Sequence, residues 1–181
     1  MVIVLNGPLG VGKSETGWQI IRSLRRAALI DIDFVIAVHP FDHQSDSDVA
    51  YAHESAAVLA EHHWQNGFED LVVNWVFETP AQLGDLRLRF ERFGPVAAYR
   101  LNCSLESLEQ RVRRRGGHEV QKEIARAREL HGILNQAAAT GDLGFVVETE
   151  NTSAREAAQT ILRHARETAV SSGGRLTPRS S

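Results

Sequence analysis

At 181 residues, 43% hydrophobic and 24% charged, the chain has the make-up of a soluble globular protein that buries a real core, expected as one domain over residues 1–170. Its lone cysteine, Cys103, excludes an intrachain disulfide framework, and a net charge of −3 argues against a nucleic-acid partner. No basic segment precedes the first apolar stretch and no apolar run approaches the roughly 20 residues that span a bilayer, so no membrane partner is expected and the cytoplasm is the expected setting.

The chain opens on Met1 to Leu5, an apolar, β-branched run long enough for one buried strand. Gly7-Pro8-Leu9-Gly10-Val11-Gly12-Lys13-Ser14 follows and reads G-x-x-x-x-G-K-[ST] without a mismatch. Glu15 to Ala28 then carries apolar residues at helical spacing. Glycines permit a backbone path that turns several N–H groups inward, and the first helical turn, from Glu15, adds unpaired N–H groups and a positive dipole end. Strand, loop and helix in that order make an anion cradle. In it Lys13 reaches the β- and γ-phosphates of a nucleotide, and the Ser14 hydroxyl takes one position on a magnesium ion.

The second apolar stretch, Ala27 to Ile30, ends at Asp31-Ile32-Asp33. A strand through these residues places both carboxylates at its carboxyl end and, by alternation, on one side. Phe34 to Ser47 reads as an irregular excursion, Asp48 to Gln65 as a helix ending near Asn66-Gly67. Leu71 to Phe77 is the third strand, too continuously apolar to be exposed on either face. Thr79-Pro80, with Gln82 placed for a capping box, opens a helix through Phe93. Gly94-Pro95 punctuates before a fourth strand, Val96 to Leu101. Ser104 caps a helix with Leu105, Leu108 and Val112 on its apolar stripe and arginines at 111, 113, 114 and 115 on the polar side; Gly116-Gly117 breaks it. Glu119 to Ala138 is helical, Gly144 to Glu148 is a last strand, and Ser153-x-x-Glu156 opens the final helix. From Ser171 the chain offers nothing to bury and is expected to be disordered. Strands alternating with helices imply an α/β, three-layer fold with a parallel sheet covered on both faces.

No N-K-x-D segment for reading guanine is present, and the third strand ends in Asn74-Trp75 rather than acids. The acids stand instead after the second strand, an arrangement suited to phosphoryl transfer onto a hydroxyl. This constellation resembles the small P-loop kinases, the group of shikimate kinase, gluconate kinase, nucleoside monophosphate kinases and chloramphenicol phosphotransferase. The resemblance covers roughly residues 1 to 168. It implies ATP and Mg2+ as cofactors and a five-stranded sheet in the order 2-3-1-4-5. Asp31-x-Asp33 resembles the D-x-D of shikimate kinase, which implies Asp33 as the acceptor of the alcohol proton and Asp31 as support for magnesium. Arg111 to His118 resembles the family's lid, here around residues 111–122, with Arg111 and Arg115 four apart on one flank and expected to meet phosphate. Val147 to Ser153 is similar to the stretch that passes near adenine. Asn74 departs from the Asp of many relatives.

Charge patterning bears on the acceptor. Between Arg26 and Arg87 there is no lysine or arginine, while Asp42, Asp46, Asp48, Glu54, Glu61, Glu69 and Asp70 fall between Phe34 and Asp70. An anionic acceptor beside unpaired acids is costly to desolvate, so a neutral or cationic hydroxyl-bearing small molecule is expected: a nucleoside, antibiotic or amino sugar. Arg87, Arg89 or the lid offer the cations for the opposite case, a nucleotide or sugar-acid kinase. A nucleotide-dependent switch protein without transfer is the rival from another class. His39 and His43, four apart around Pro40, read as surface or pocket side chains rather than metal ligands, and His53, His62 and His63 receive no chemistry. Trp64, Trp75 and Phe77 read as core aromatics, with Trp75 also placed to wall the acceptor pocket. Monomer and homodimer are equally compatible with the sequence.

Overall fold

The first apolar run becomes β1 (Val2–Asn6), buried along its whole length. Alternation sends Val2 and Val4 into one apolar layer and Ile3 and Leu5 into another, so this strand has two covered faces. In the computed structural model, which describes residues 1–171, the chain continues through α1 (Lys13–Arg22), β2 (Ala27–Asp31), α2 (Ile32–Val35), α3 (Asp46–Gln65) and β3 (Asp70–Asn74). It then runs through α4 (Pro80–Phe90), β4 (Val96–Asn102), α5 (Leu105–Arg115), α6 (Val120–Thr140), β5 (Phe145–Glu148) and α7 (Ala154–Ser171).

The five strands form one sheet in the order β2-β3-β1-β4-β5, every neighbouring pair parallel. That is the α/β architecture expected from the sequence and the strand order that the resemblance implies. One layer packs Ala52, Ala56 and Ala60 of α3 and Leu83, Leu86 and Phe90 of α4 against Val2, Val4, Leu71 and Val73. The other packs Ile20 of α1 and Ala157, Ala158, Ile161 and Leu162 of α7 against Ile3, Leu5, Val72, Tyr99 and Leu101. Each fully buried leucine or isoleucine contributes about 1.5–3 kcal/mol of transfer free energy. Among the described residues, no helix is long and apolar enough to cross a membrane.

Ser104 Oγ accepts from Ser107 N at 3.1 Å, and the Ser153–Glu156 box closes, with Ser153 N donating to Glu156 Oε2 at 2.9 Å. At α4 Thr79 Oγ1 accepts from Gln82 N, but the Gln82 side chain reaches Glu78 N at 2.8 Å, one residue before the expected cap.

Several boundaries differ from expectation, among them α4, which stops at Phe90 where the sequence predicts a helix through Phe93 and a 3-10 turn (Glu91–Phe93) takes over. Helix α1 stops at Arg22, where Ser23 Oγ bonds back to Gln19 O at 2.8 Å, and Ala27 and Ala28 join β2 instead. Strand β2 stops at Asp31, and Ile32 to Val35 turns into a short helix. The alternation argument for Asp31 and Asp33 therefore does not apply, because Asp33 lies on a helical turn. Strand β3 ends at Asn74, leaving Trp75 to Phe77 as irregular but enclosed chain, with Trp75 and Phe77 2% and 0% exposed. Helix α3 begins at Asp46, two residues early, because Ser45 caps it. Ser171 closes α7; the rest of the tail expected to be disordered lies outside the described residues.

Candidate active site

The loop between β1 and α1 is shaped by glycines that no other residue could replace without displacement. Gly7 has φ +143°, and a Cβ there would stand 2.7 Å from Leu101 O; at Gly10, φ +85°, it would stand 2.8 Å from Val112 Cγ2. The loop is thus pressed onto the end of β4 and onto α5, and Gly12 caps α1 with φ +103°. Its entry is fixed by Asn6, fully buried, whose Oδ1 accepts from Gly7 N at 2.7 Å and Phe77 N at 3.0 Å while Nδ2 donates to Phe77 O at 3.2 Å. Nothing local in the sequence marks Asn6, since its partner lies 71 residues away.

Lys13 Nζ donates to Gly7 O at 2.8 Å and Pro8 O at 3.2 Å, folded back over the loop. Burial pulls its pKa down to about 8, against the opposing pull of Asp33 and Asp31, with Arg115 lowering it further. An anion arriving there would meet a cation already brought close to the loop.

Ser14, Asp31 and Asn74 converge at the ends of three elements. Ser14 Oγ donates to Asp31 Oδ2 at 3.1 Å and accepts from Asn74 Nδ2 at 3.3 Å. Asp31 Oδ1 is buried and has no hydrogen-bond partner among the described residues. A hydroxyl beside a carboxylate with one unpartnered buried oxygen is hard-oxygen chemistry, and it fits a magnesium ion that keeps most of its water. Asn74 supplies a neutral donor that turns the Ser14 lone pairs, a task an acid in its place would not perform.

Asp33 is exposed, and its Oδ1 accepts from Trp75 Nε1 at 2.8 Å. Lys13, Ser14, Asp31, Asp33, Arg111 and Arg115 all border one cavity of about 720 Å3. Its far end runs past Thr149, Thr152 and Ser153, from the stretch expected near adenine.

The two flank arginines behave differently. Arg111 is a clasp: Nη1 donates to Val11 O at 3.2 Å and Thr149 Oγ1 at 3.1 Å, and Nη2 donates to Thr149 O. It ties the loop, α5 and the segment after β5 together. Arg115 is half exposed and pairs with Glu123 at 2.7 Å across the Gly116-Gly117 break. Arg113 turns instead to Glu109, which Arg128 also binds. Val112, Ile124 and Ala127 pack with Leu9, so the α5–α6 unit sits directly on the loop.

A second cavity, about 420 Å3, opens on the other side of Lys13 and Asp33. Phe41, His43 and Trp75 line it, with Phe41 and His43 edge to face at 4.9 Å. Glu78 and Arg126 complete its wall, paired at 2.6 Å, and Arg126 also holds Glu129 at 2.8 Å. Arg126 is the cation that the sequence did not reveal at this side. Arg87 and Arg89 are spent elsewhere, on Asp142 and on Asp85 with Glu54.

Most of the seven acids expected near the acceptor are also spent elsewhere. Asp46 and Asp48 sit in the first turn of α3, where the helix dipole favours them, and Asp48 Oδ2 accepts from Asp42 N. Glu54 pairs with Arg89, Glu61 with Arg92, and Asp70 with the N-terminal amine. The charge asymmetry of the chain is a helix-capping and surface-pairing pattern, and the second cavity is close to electrically balanced.

Of the histidines, His43 borders the second cavity and His39 is exposed. Among the described residues no three His, Cys, Asp or Glu side chains gather as a metal cluster. His53, fully buried, pairs through Nδ1 with Asp85 Oδ2 at 2.7 Å. Cys103 is buried, and burial pushes its thiol pKa up.

A glycine loop between a central strand and a helix, with a β2-β3-β1-β4-β5 parallel sheet beneath it, decides the comparison. The chain has the fold of the P-loop kinases and phosphotransferases. A shikimate kinase from Acinetobacter baumannii, solved in complex with shikimate, superposes with a TM-score of 0.61 at 20% identity, over 92% of this chain and 93% of that one. A gluconokinase from Sinorhizobium meliloti 1021 gives 0.59 at 20% identity over 94% and 97%. The tunicamycin resistance protein of Deinococcus radiodurans gives 0.60 at 17% identity over 98% of both chains. No protein-family model matches the sequence, and no curated protein matches it. The likeness is one of P-loop kinase architecture at 17–20% identity.

Proposed function

We propose that this chain is a kinase that transfers the γ-phosphoryl group of ATP to an alcohol oxygen of a small, ring-bearing, uncharged or cationic acceptor. One observation carries the reading: Asp33 and Lys13 stand on the shared border of a nucleotide-sized cavity and a second, aromatic-lined one. In the transfer, the acceptor O–H gives its proton to the Asp33 carboxylate as its oxygen bonds to the γ-phosphorus. The bond from that phosphorus to the β–γ bridging oxygen breaks, and ADP leaves with the electron pair. Lys13 and backbone N–H groups between Leu9 and Glu15 hold the phosphates. Ser14 and Asp31 would hold magnesium, which when bound neutralises charge on the phosphate oxygens. Arg115 closes over the transferring group by exchanging Glu123 for phosphate, and Arg111 keeps the loop and the adenine side in register.

The aromatic walls suit a flat or ring-shaped acceptor, and the arginine on that wall, Arg126, is already paired with Glu78 and Glu129 rather than left to offset a carboxylate or phosphate. The resemblance to a tunicamycin resistance protein is in keeping with a nucleoside or antibiotic acceptor. A panel of nucleosides, amino sugars, hydroxylated antibiotics and sugar acids, assayed for ADP release and phosphorylated product, tests this. Transfer restricted to acidic acceptors would overturn the acceptor class; ATP binding without transfer to any alcohol would favour a nucleotide-dependent switch.

A further inference from the structure

We infer that Trp75 is a positioning residue for Asp33, and that its indole N–H fixes which carboxylate oxygen faces the acceptor. This rests on the reading of Asp33 as proton acceptor. Asp33 is exposed on a four-residue helix, so its own backbone leaves the side chain free to turn. Among the described residues, its one hydrogen bond comes from Trp75 Nε1 at 2.8 Å. That donor ties down Oδ1 and leaves Oδ2 for the incoming hydroxyl.

Trp75 can do this because it cannot move. It is 2% exposed, and its backbone N donates to Leu5 O at 3.2 Å, next to the start of the loop. Its ring meets Phe77 at 5.7 Å and His53 at 5.4 Å, both edge to face. His53 is itself fully buried and held by Asp85, which accepts from Arg89 Nε at 2.9 Å, and Arg89 also binds Glu54. The bracket joins α3 to α4 behind the indole. A buried indole N–H needs a partner, and here the partner is an exposed carboxylate at the border of both cavities, which couples the rigid core to the reacting groups. Displacement of a reacting group by about 1 Å can cost on the order of 100-fold in rate.

Trp75→Phe retains an aromatic ring and removes the donor together with part of the buried indole's bulk, so the readouts below separate a lost hydrogen bond from a packing loss. We expect kcat to fall roughly 10- to 100-fold with the KM for ATP within about twofold of wild type. In an Asp33→Asn background the same substitution should change kcat by less than about twofold, since the group it positions has already lost its function. A readout independent of activity is the indole 1H–15N cross-peak of Trp75, assigned by its loss in Trp75→Phe. Asp33→Asn should move that peak more than those of Trp18 and Trp64. Equal losses in both backgrounds, or an unmoved peak, overturn the inference while leaving the kinase reading intact. A wild type that transfers to no alcohol, with the peak responding as expected, overturns the kinase reading and the positioning role with it.

Discussion

The cavity proposed to take the nucleotide and the one proposed to take the acceptor are built in different ways. At its phosphate end the first is a loop of residues consecutive in sequence, pressed into place by contacts that leave no room for a Cβ at Gly7 or Gly10, with Asp31, Arg111 and Thr149 joining it from elsewhere. On the acceptor side each wall comes from a different element: Asp33 from α2, Phe41 and His43 from the irregular chain after it, Trp75 and Glu78 from the segment after β3, and Arg126 from α6. A common ligand can be met by one contiguous loop, whereas a particular acceptor needs side chains collected from several places. The first design is stiff and the second can be altered one residue at a time.

The contrast breaks first at Asp33. Asp33→Asn should leave ATP affinity near wild type, measured by calorimetry, and lower the transfer rate by about 10²- to 10⁴-fold. A matching loss of ATP affinity would merge the two sides into one. Gly7→Ala tests the stiffness of the other side. With φ +143° and Leu101 O at 2.7 Å from the added carbon, it should cost about 1–3 kcal/mol of stability and weaken ATP binding more than acceptor binding. Thermal unfolding and calorimetry read both.

Asp31→Asn should raise the magnesium concentration needed for half-maximal rate by roughly 10-fold or more, with little change in the KM for acceptor. Stability against acid is a smaller effect. Burial lowers the pKa of His53 below its ordinary value, despite the bond to Asp85. Above about pH 6.5 the unfolded histidine is neutral too, and the fold has its full stability. As pH falls below that value the unfolded chain binds a proton that folded His53 resists, so stability falls. The melting temperature should drop between pH 7.5 and 5.5, and less steeply in His53→Gln. The smallest effect belongs to Glu78→Gln, which removes the carboxylate facing Arg126 and should shift preference a few-fold toward an acidic acceptor, read as a ratio of kcat/KM values.

Legibility in the sequence followed the same division. Residues 7–14, the capping box at Ser153, the N-cap at Ser104 and the alternation of strands with helices depend on neighbours within a few positions, and the structure has them where expected. Asp31 and Asp33 do border one cavity, yet the helical turn at Ile32 brings them there instead of the pleat of a strand. The acids between Phe34 and Asp70 misled because sequence proximity says nothing about partners: Glu54 meets Arg89 of α4, and Glu61 meets Arg92 of the turn after it.

By itself the sequence determined the α/β class and the strand-loop-helix unit that carries Lys13 and Ser14, because apolar periodicity, glycine conformation and capping act through adjacent residues. Only the tertiary structure decided that Asn6 holds Phe77, that Arg126 neutralises Glu78 and that Trp75 bonds Asp33. Those partners lie 42 to 71 residues apart. They meet because a parallel sheet brings the carboxyl ends of distant strands to one edge, and a side chain's partner there is chosen by strand order and burial rather than by its neighbours in the chain.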